Sequence, residues 1–103
     1  MSHRGRDEDV AFREALGDVL HERRRSLRLS QEGVARRAGL CRQTLSKYET
    51  GANEMSLVQA LRLSHALRLS PMDLLAAVRE RLETQETQET PAPARAAERR
   101  RAA

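Results

Sequence analysis

The chain has 103 residues, enough for one domain with ends, and a formal net charge of +4. A third of the residues are charged, while one Phe, one Tyr and no Trp leave the core to Leu, Val and Ala, as suits a small helical bundle. The single cysteine, Cys41, excludes an internal disulfide and a four-thiolate metal site. No apolar run approaches the roughly 18 residues of a membrane span, and no signal peptide opens the chain, so a cytoplasmic protein is expected. Arg outnumbers Lys 18 to 1 and Ala is frequent, which hints at a GC-rich bacterial genome.

Residues 1–8 are polar and mixed in charge, and are expected to be flexible. A first helix is expected from about Asp9 to Leu27. Phe12, Leu16, Val19, Leu20, Arg23 and Leu27 recur there with helical spacing. Gly17 lies inside it, at a cost of roughly 1 kcal/mol against Ala, which suggests a close approach by another element. Ser30 is the expected cap of a short second helix, Gln31 to Ala38, with Val34, Ala35 and Ala38 inward. Gly39 then ends it, because Gly takes the left-handed conformation of a tight turn without a Cβ penalty. Leu40 plugs the junction. A third short helix, Arg42 to Glu49, turns Leu45 and Tyr48 inward and leaves Arg42, Gln43, Ser46 and Lys47 on or near the outer face. Gly51 stops it.

Ser56 caps a fourth helix, Leu57 to Leu67, whose Leu57, Leu61, Leu63, Ala66 and Leu67 are expected to be mostly core. Ser70-Pro71 opens a fifth by the rule of cap then proline, with Asp73 in the first turn. Leu74 and Leu75 are expected to close the core. Val78 and Leu82 continue the stripe beyond what a five-helix domain needs, so they are dimer candidates; the alternative is that they cover the monomer core. From residue 83 the composition changes to TQETQET, Pro91-Ala92-Pro93 and then four arginines between Arg95 and Arg101, which reads as a disordered tail. The domain is therefore expected to span residues 9–82.

From Arg23 to Lys47 there are eight basic residues and one acid, Glu32, a local net charge of +7. Such a cluster is the electrostatic footprint of a phosphate-binding face; a solvated helical face is the plainer reading. It coincides with Ser30 to Gly51, which has the helix, tight turn, helix spacing of a helix-turn-helix. The stretch resembles the Cro/repressor-type (XRE-like) helix-turn-helix family. Ser30-Gln31, Ala35, Gly39, Leu45 and Tyr48-Glu49-Thr50-Gly51 carry the resemblance, which extends over about Leu16 to Leu75. No single position is specific, but the ordered set is.

The resemblance implies an all-α, five-helix, lambda-repressor-like domain whose third helix enters the major groove of double-stranded DNA. Arg42 could then donate two bonds to guanine, Gln43 could pair with adenine, Thr44 could meet a thymine methyl or a phosphate, and Lys47 a guanine or a phosphate. Gln31, at the start of the second helix, matches a family glutamine that bonds a phosphate. Arg36, Arg37, Ser46 and Asn53 are further phosphate candidates, or simple surface polarity. Arg24 matches a family arginine that pairs with the glutamate at Glu49, or is one of several exposed arginines. Arg28 stands where the family commonly has glycine, and so is expected in a left-handed conformation unless the helix ends differently. Arg4 and Arg6 could form a minor-groove arm, against which Asp7, Glu8 and Asp9 argue. Cys41 occupies the cap of the third helix, where the family has Ser or Thr. It is either a redox-sensitive thiol or a replaced serine.

Nothing resembles an active site, so neither an enzyme nor a cofactor or metal is expected; His3 and His65 lack partner ligands. The expected function is a sequence-specific transcription regulator of double-stranded DNA, a dimeric repressor on an inverted repeat. The rival is an antitoxin-like interaction module whose tail binds a protein partner while the domain autoregulates on DNA.

Overall fold

The computed structural model describes residues 2–87, and side chains over residues 7–84. Five helices follow one another: α1 Ser2–Ser26, α2 Gln31–Ala38, α3 Arg42–Glu49, α4 Leu57–Ala66 and α5 Pro71–Thr87, with no strand among the described residues. α1 packs on α3 and α5, α2 on α3 and α4, and α4 on α5. Every helix contributes to one core: Ala15, Val19 and Leu20 from α1, Val34, Ala35 and Ala38 from α2, Leu45 and Tyr48 from α3, Leu63 and Ala66 from α4 with Leu67 just beyond it, and Leu74 from α5. Leu20, Leu45, Leu63 and Leu67 are almost fully buried, each worth about 1.5–3 kcal/mol of transfer free energy.

Both outer helices are longer than their apolar stripes. α1 begins at Ser2 rather than about Asp9, since no proline interrupts the segment and its charged residues tolerate a helix. α5 continues to Thr87, past the expected limit at Leu82. Glu and Gln are good helix formers, and Arg79 and Glu83 pair across one turn at 3.6 Å. Residues 88–103, on which the rest of the expected tail, its arginines and its protein partner fall, lie outside the described residues, as do the side chains of His3, Arg4 and Arg6.

Four helix ends share one device. After α1, α2, α3 and α4 a residue in the left-handed region follows: Arg28 (φ 58°), Gly39 (φ 74°), Gly51 (φ 78°) and Arg68 (φ 58°). In each case its N–H and the next N–H turn back to the last carbonyls. Leu29 reaches Arg24 O, Leu40 reaches Ala35 O, Ala52 reaches Lys47 O and Leu69 reaches Ser64 O, the Schellman pattern. Leu29, Leu40 and Leu69 then drop onto the core, so each stop is also an anchor. Arg28 thus takes the left-handed form anticipated for it, and Arg68 repeats it unanticipated.

Several leucines expected inside are outside. Leu57 is 70% exposed, Leu61 39% and Leu75 58%. α4 buries the arc through Leu63, Ala66 and Leu67, and at 100° per residue Leu57, Val58 and Leu61 fall on the opposite arc. α5 buries the arc of Leu74, with Ala77 and Val78 packed against the core; Leu75 lies one step round. Val78 is therefore part of the monomer's core margin, and Leu82 on the same arc is half-buried. Phe12, at the outer end of the α1 stripe, is half exposed.

Gly17 is where α1 meets the end of α3. A Cβ there would stand 2.5 Å from the Tyr48 carbonyl oxygen and 2.6 Å from that of Glu49. Arg23, a charged residue on the apolar stripe, donates from Nε to Leu67 O (2.9 Å) and from Nη2 to Arg68 O (3.0 Å), closing the end of α4. Arg81 of α5 pairs with Asp18 (3.5 Å) and Glu22 of α1.

Candidate nucleic-acid interface

α2 and α3 join through Gly39 and Leu40. Ser30 caps α2, its Oγ accepting from Gly33 N at 3.0 Å. Leu45 and Tyr48 bury the inner face of α3, and the Tyr48 hydroxyl donates to Gln59 Oε1. Gln59 is also the return arm of the capping box that Ser56 makes at the start of α4. With the inner face so held, Arg42, Gln43 and Lys47 are exposed on α3, and Gln43 and Lys47 share a face at i, i+4. Thr44 and Ser46, expected beside them, are half-buried. On α2, Arg36 and Arg37 are exposed; Arg36 faces Glu32 at 3.6 Å, a surface pair worth little in stability. Asn53 is exposed in the α3–α4 connection. Val78 and Leu82 lie on α5, apart from this group.

Cys41 stands at the N-cap of α3 with extended backbone, and its side chain makes no capping bond. The thiol meets the Thr44 hydroxyl at 3.0 Å instead. That hydrogen bond, followed by the Thr44 backbone N–H, holds the Cys41 thiol below its ordinary range.

Behind the exposed face lies a buried ionic cluster. Arg24 donates from Nε to Glu49 Oε2 at 2.7 Å and from Nη2 to Glu49 Oε1 at 3.0 Å. Its Nη1 donates to Leu29 O at 2.9 Å, so the same guanidinium ties α1, α3 and the α1–α2 connection. His21 Nδ1 lies 3.0 Å from Glu49 Oε1, and Gln31 Nε2 donates to that oxygen at 3.1 Å. Burial pushes the Glu49 carboxyl up, but the bonds from Arg24, His21 and Gln31 outweigh it and hold it below the usual carboxylate range. Sequence reasoning passed over His21. Its signal was its place one turn before Arg24, since residues at i, i+3 share a helix face.

Among the described residues no group of His, Cys, Asp or Glu could hold a metal ion, and no described helix is long and apolar enough to cross a membrane.

Residues 15–78 match the family model of a helix-turn-helix domain. Among solved structures, the chain is similar to the clp gene regulator ClgR from Corynebacterium glutamicum, at 29% identity and a TM-score of 0.74 over 81% of this chain and 88% of that one. A second structure of that regulator matches at 28% identity and a TM-score of 0.66 over 69% and 91%. The restriction–modification controller protein C.AhdI from Aeromonas hydrophila matches at 37% identity and a TM-score of 0.58 over 60% and 94%. A comparison with curated proteins finds no match.

Proposed function

Because this chain belongs to the helix-turn-helix domain family, we propose that it is a sequence-specific transcription regulator of double-stranded DNA, a dimeric repressor that reads an inverted repeat through α3. The observation that carries the reading is the exposed set Arg42, Gln43 and Lys47 on a short helix whose other face is anchored in the core. Arg and Gln at the start of such a helix can each make two bonds to a purine edge in the major groove. Of the basic residues from Arg23 to Lys47, the exposed Arg25, Arg28, Arg36, Arg37, Arg42 and Lys47 support the phosphate side of the contact. In this reading Gln31, Arg36, Arg37, Ser46 and Asn53 address the backbone. Thr44 keeps a minor part, since its hydroxyl already meets Cys41. The similar structures are of a gene regulator and a controller protein, which supports a regulatory role here.

For the dimer, the open apolar residues Leu57, Val58 and Leu61 of α4 with Met72 and Leu75 of α5 offer more surface than Val78 and Leu82, which the monomer already uses in part.

The test is a mobility shift on DNA upstream of the protein's own gene, with unrelated competitor and a salt series. Saturable binding at an inverted repeat is expected, falling steeply with salt. Gln43→Ala should relax base choice at one position, at about 1–3 kcal/mol. Gln31→Ala should weaken all sequences alike. If both variants lose affinity uniformly, α3 is not the reader.

A further inference from the structure

We infer that His21 is a contact to the DNA backbone, charged in the complex, so that the protein takes up a proton at this ring when it binds. The inference rests on the reading of Gln31 as a phosphate contact. Glu49 Oε1 lies 3.0 Å from His21 Nδ1 and 3.1 Å from Gln31 Nε2, so the two nitrogens are within about 6 Å of each other. A single phosphate held by the Gln31 amide is therefore in reach of the His21 ring.

The charge at this spot is otherwise cancelled. Arg24 is 10% exposed and its donors already serve Glu49 and the Leu29 carbonyl, so it neutralises the buried carboxylate and has little left for a ligand. His21 differs in being 46% exposed. His21 Nδ1 lies 3.0 Å from Glu49 Oε1 and 3.3 Å from Arg24 Nη2; the shorter contact, to an acceptor-only carboxylate, is the one that a proton on Nδ1 serves. The Nε2 edge then points away from the carboxylate. With the ring neutral, Nε2 is an acceptor and repels a phosphate oxygen. With the ring protonated it is a donor, and the cluster gains one positive charge.

The charged groups around the ring are few. On α1 they are Arg24, whose Nη2 lies 3.3 Å from Nδ1 but is shared with Glu49 Oε1 at 3.0 Å, with Asp18 and Arg25 one turn away on either side; on α3, Glu49. α2 supplies the neutral Gln31. Arg81 of α5 faces α1 but is engaged by Asp18 and Glu22. Imidazole is the side chain that changes charge between about pH 5 and 8, and by linkage a group that gains a proton on binding makes affinity rise as pH falls.

Cys41 titrates with the same sign, because a thiolate near DNA would repel phosphate at high pH. The experiment therefore uses Cys41→Ser as the background throughout. A fluorescein-labelled 30-base-pair duplex of mixed sequence is titrated at pH 6.0, 7.0 and 8.0 at constant low ionic strength, since phosphate contacts are sequence-independent. Affinity at pH 6.0 should exceed that at pH 8.0 roughly five-fold or more. His21→Asn keeps a donor toward Glu49 and should bind with little pH dependence. His21→Arg should restore tight binding at pH 8.0. His65→Asn should keep the full dependence. An unchanged pH profile in His21→Asn would overturn the inference while leaving the DNA reading intact. Absence of binding by the parent at every pH would overturn both.

Discussion

A methyl group at position 17 would collide with two backbone carbonyls at the end of α3. Neither oxygen can swing aside as a side-chain tip can. In an isolated helix Gly→Ala stabilises by up to about 1 kcal/mol; here the expected sign reverses. Gly17→Ala should destabilise by about 1–3 kcal/mol, or more if α3 cannot shift, read from urea or thermal midpoints; a rise in midpoint would contradict the close approach. The Arg24–Glu49 pair acts a few ångströms away. The Glu49 carboxyl is held below its ordinary range in the fold, so its contribution is fully present above the unfolded value, roughly pH 4.3. It is lost as pH falls through the lower folded value. Stability should therefore drop below about pH 4, and Glu49→Gln should flatten that acid limb while lowering stability at neutral pH. A limb of the same steepness in the variant would assign it to other carboxylates.

At the scale of elements, caps and stops matter more than propensity. Ser30, Ser56 and Ser70 each accept a backbone N–H three residues on, but Cys41 at the equivalent place on α3 does not. Cys41→Ser should add a cap worth about 0.5–2 kcal/mol, measurable as a raised thermal midpoint, whereas Ser30→Ala should lower it by a similar amount. The helix stops were only half legible in the chain. Two of the four left-handed residues are Gly39 and Gly51, which announce themselves; the others are arginines. A non-glycine residue in that region costs roughly 1–2 kcal/mol. It is tolerated because the Leu after each of them packs on the core.

For the whole molecule, the distribution of leucines is the decisive feature. Leu57, Leu61 and Leu75 look like core residues in a one-dimensional pattern, yet they face outward. If these faces meet a second copy, sedimentation should give a dimer at micromolar concentration, and Leu61→Glu should give a folded monomer with much weaker DNA binding. A monomeric parent protein would end the proposal for this surface. Steep salt dependence of binding belongs to the same scale, since it reads the summed phosphate contacts of the assembly.

The number of helices, the serine caps, the tight turn at Gly39 and the inner residues of α2 and α3 were legible in the chain. These depend on neighbours three or four positions away, and such signals survive in one dimension. Arg24 and Glu49 were singled out only through the resemblance to the helix-turn-helix family, and His21 and the donation by Gln31 not at all. Which face of α4 and α5 is buried, why position 17 has no side chain, and where Arg23 and His21 are used came from the packing of the helices on one another. The reason is physical: Gly17, His21, Arg23 and Gln31 each meet a backbone or carboxylate 18 to 45 residues away, and periodicity along one helix carries no information about what packs against it.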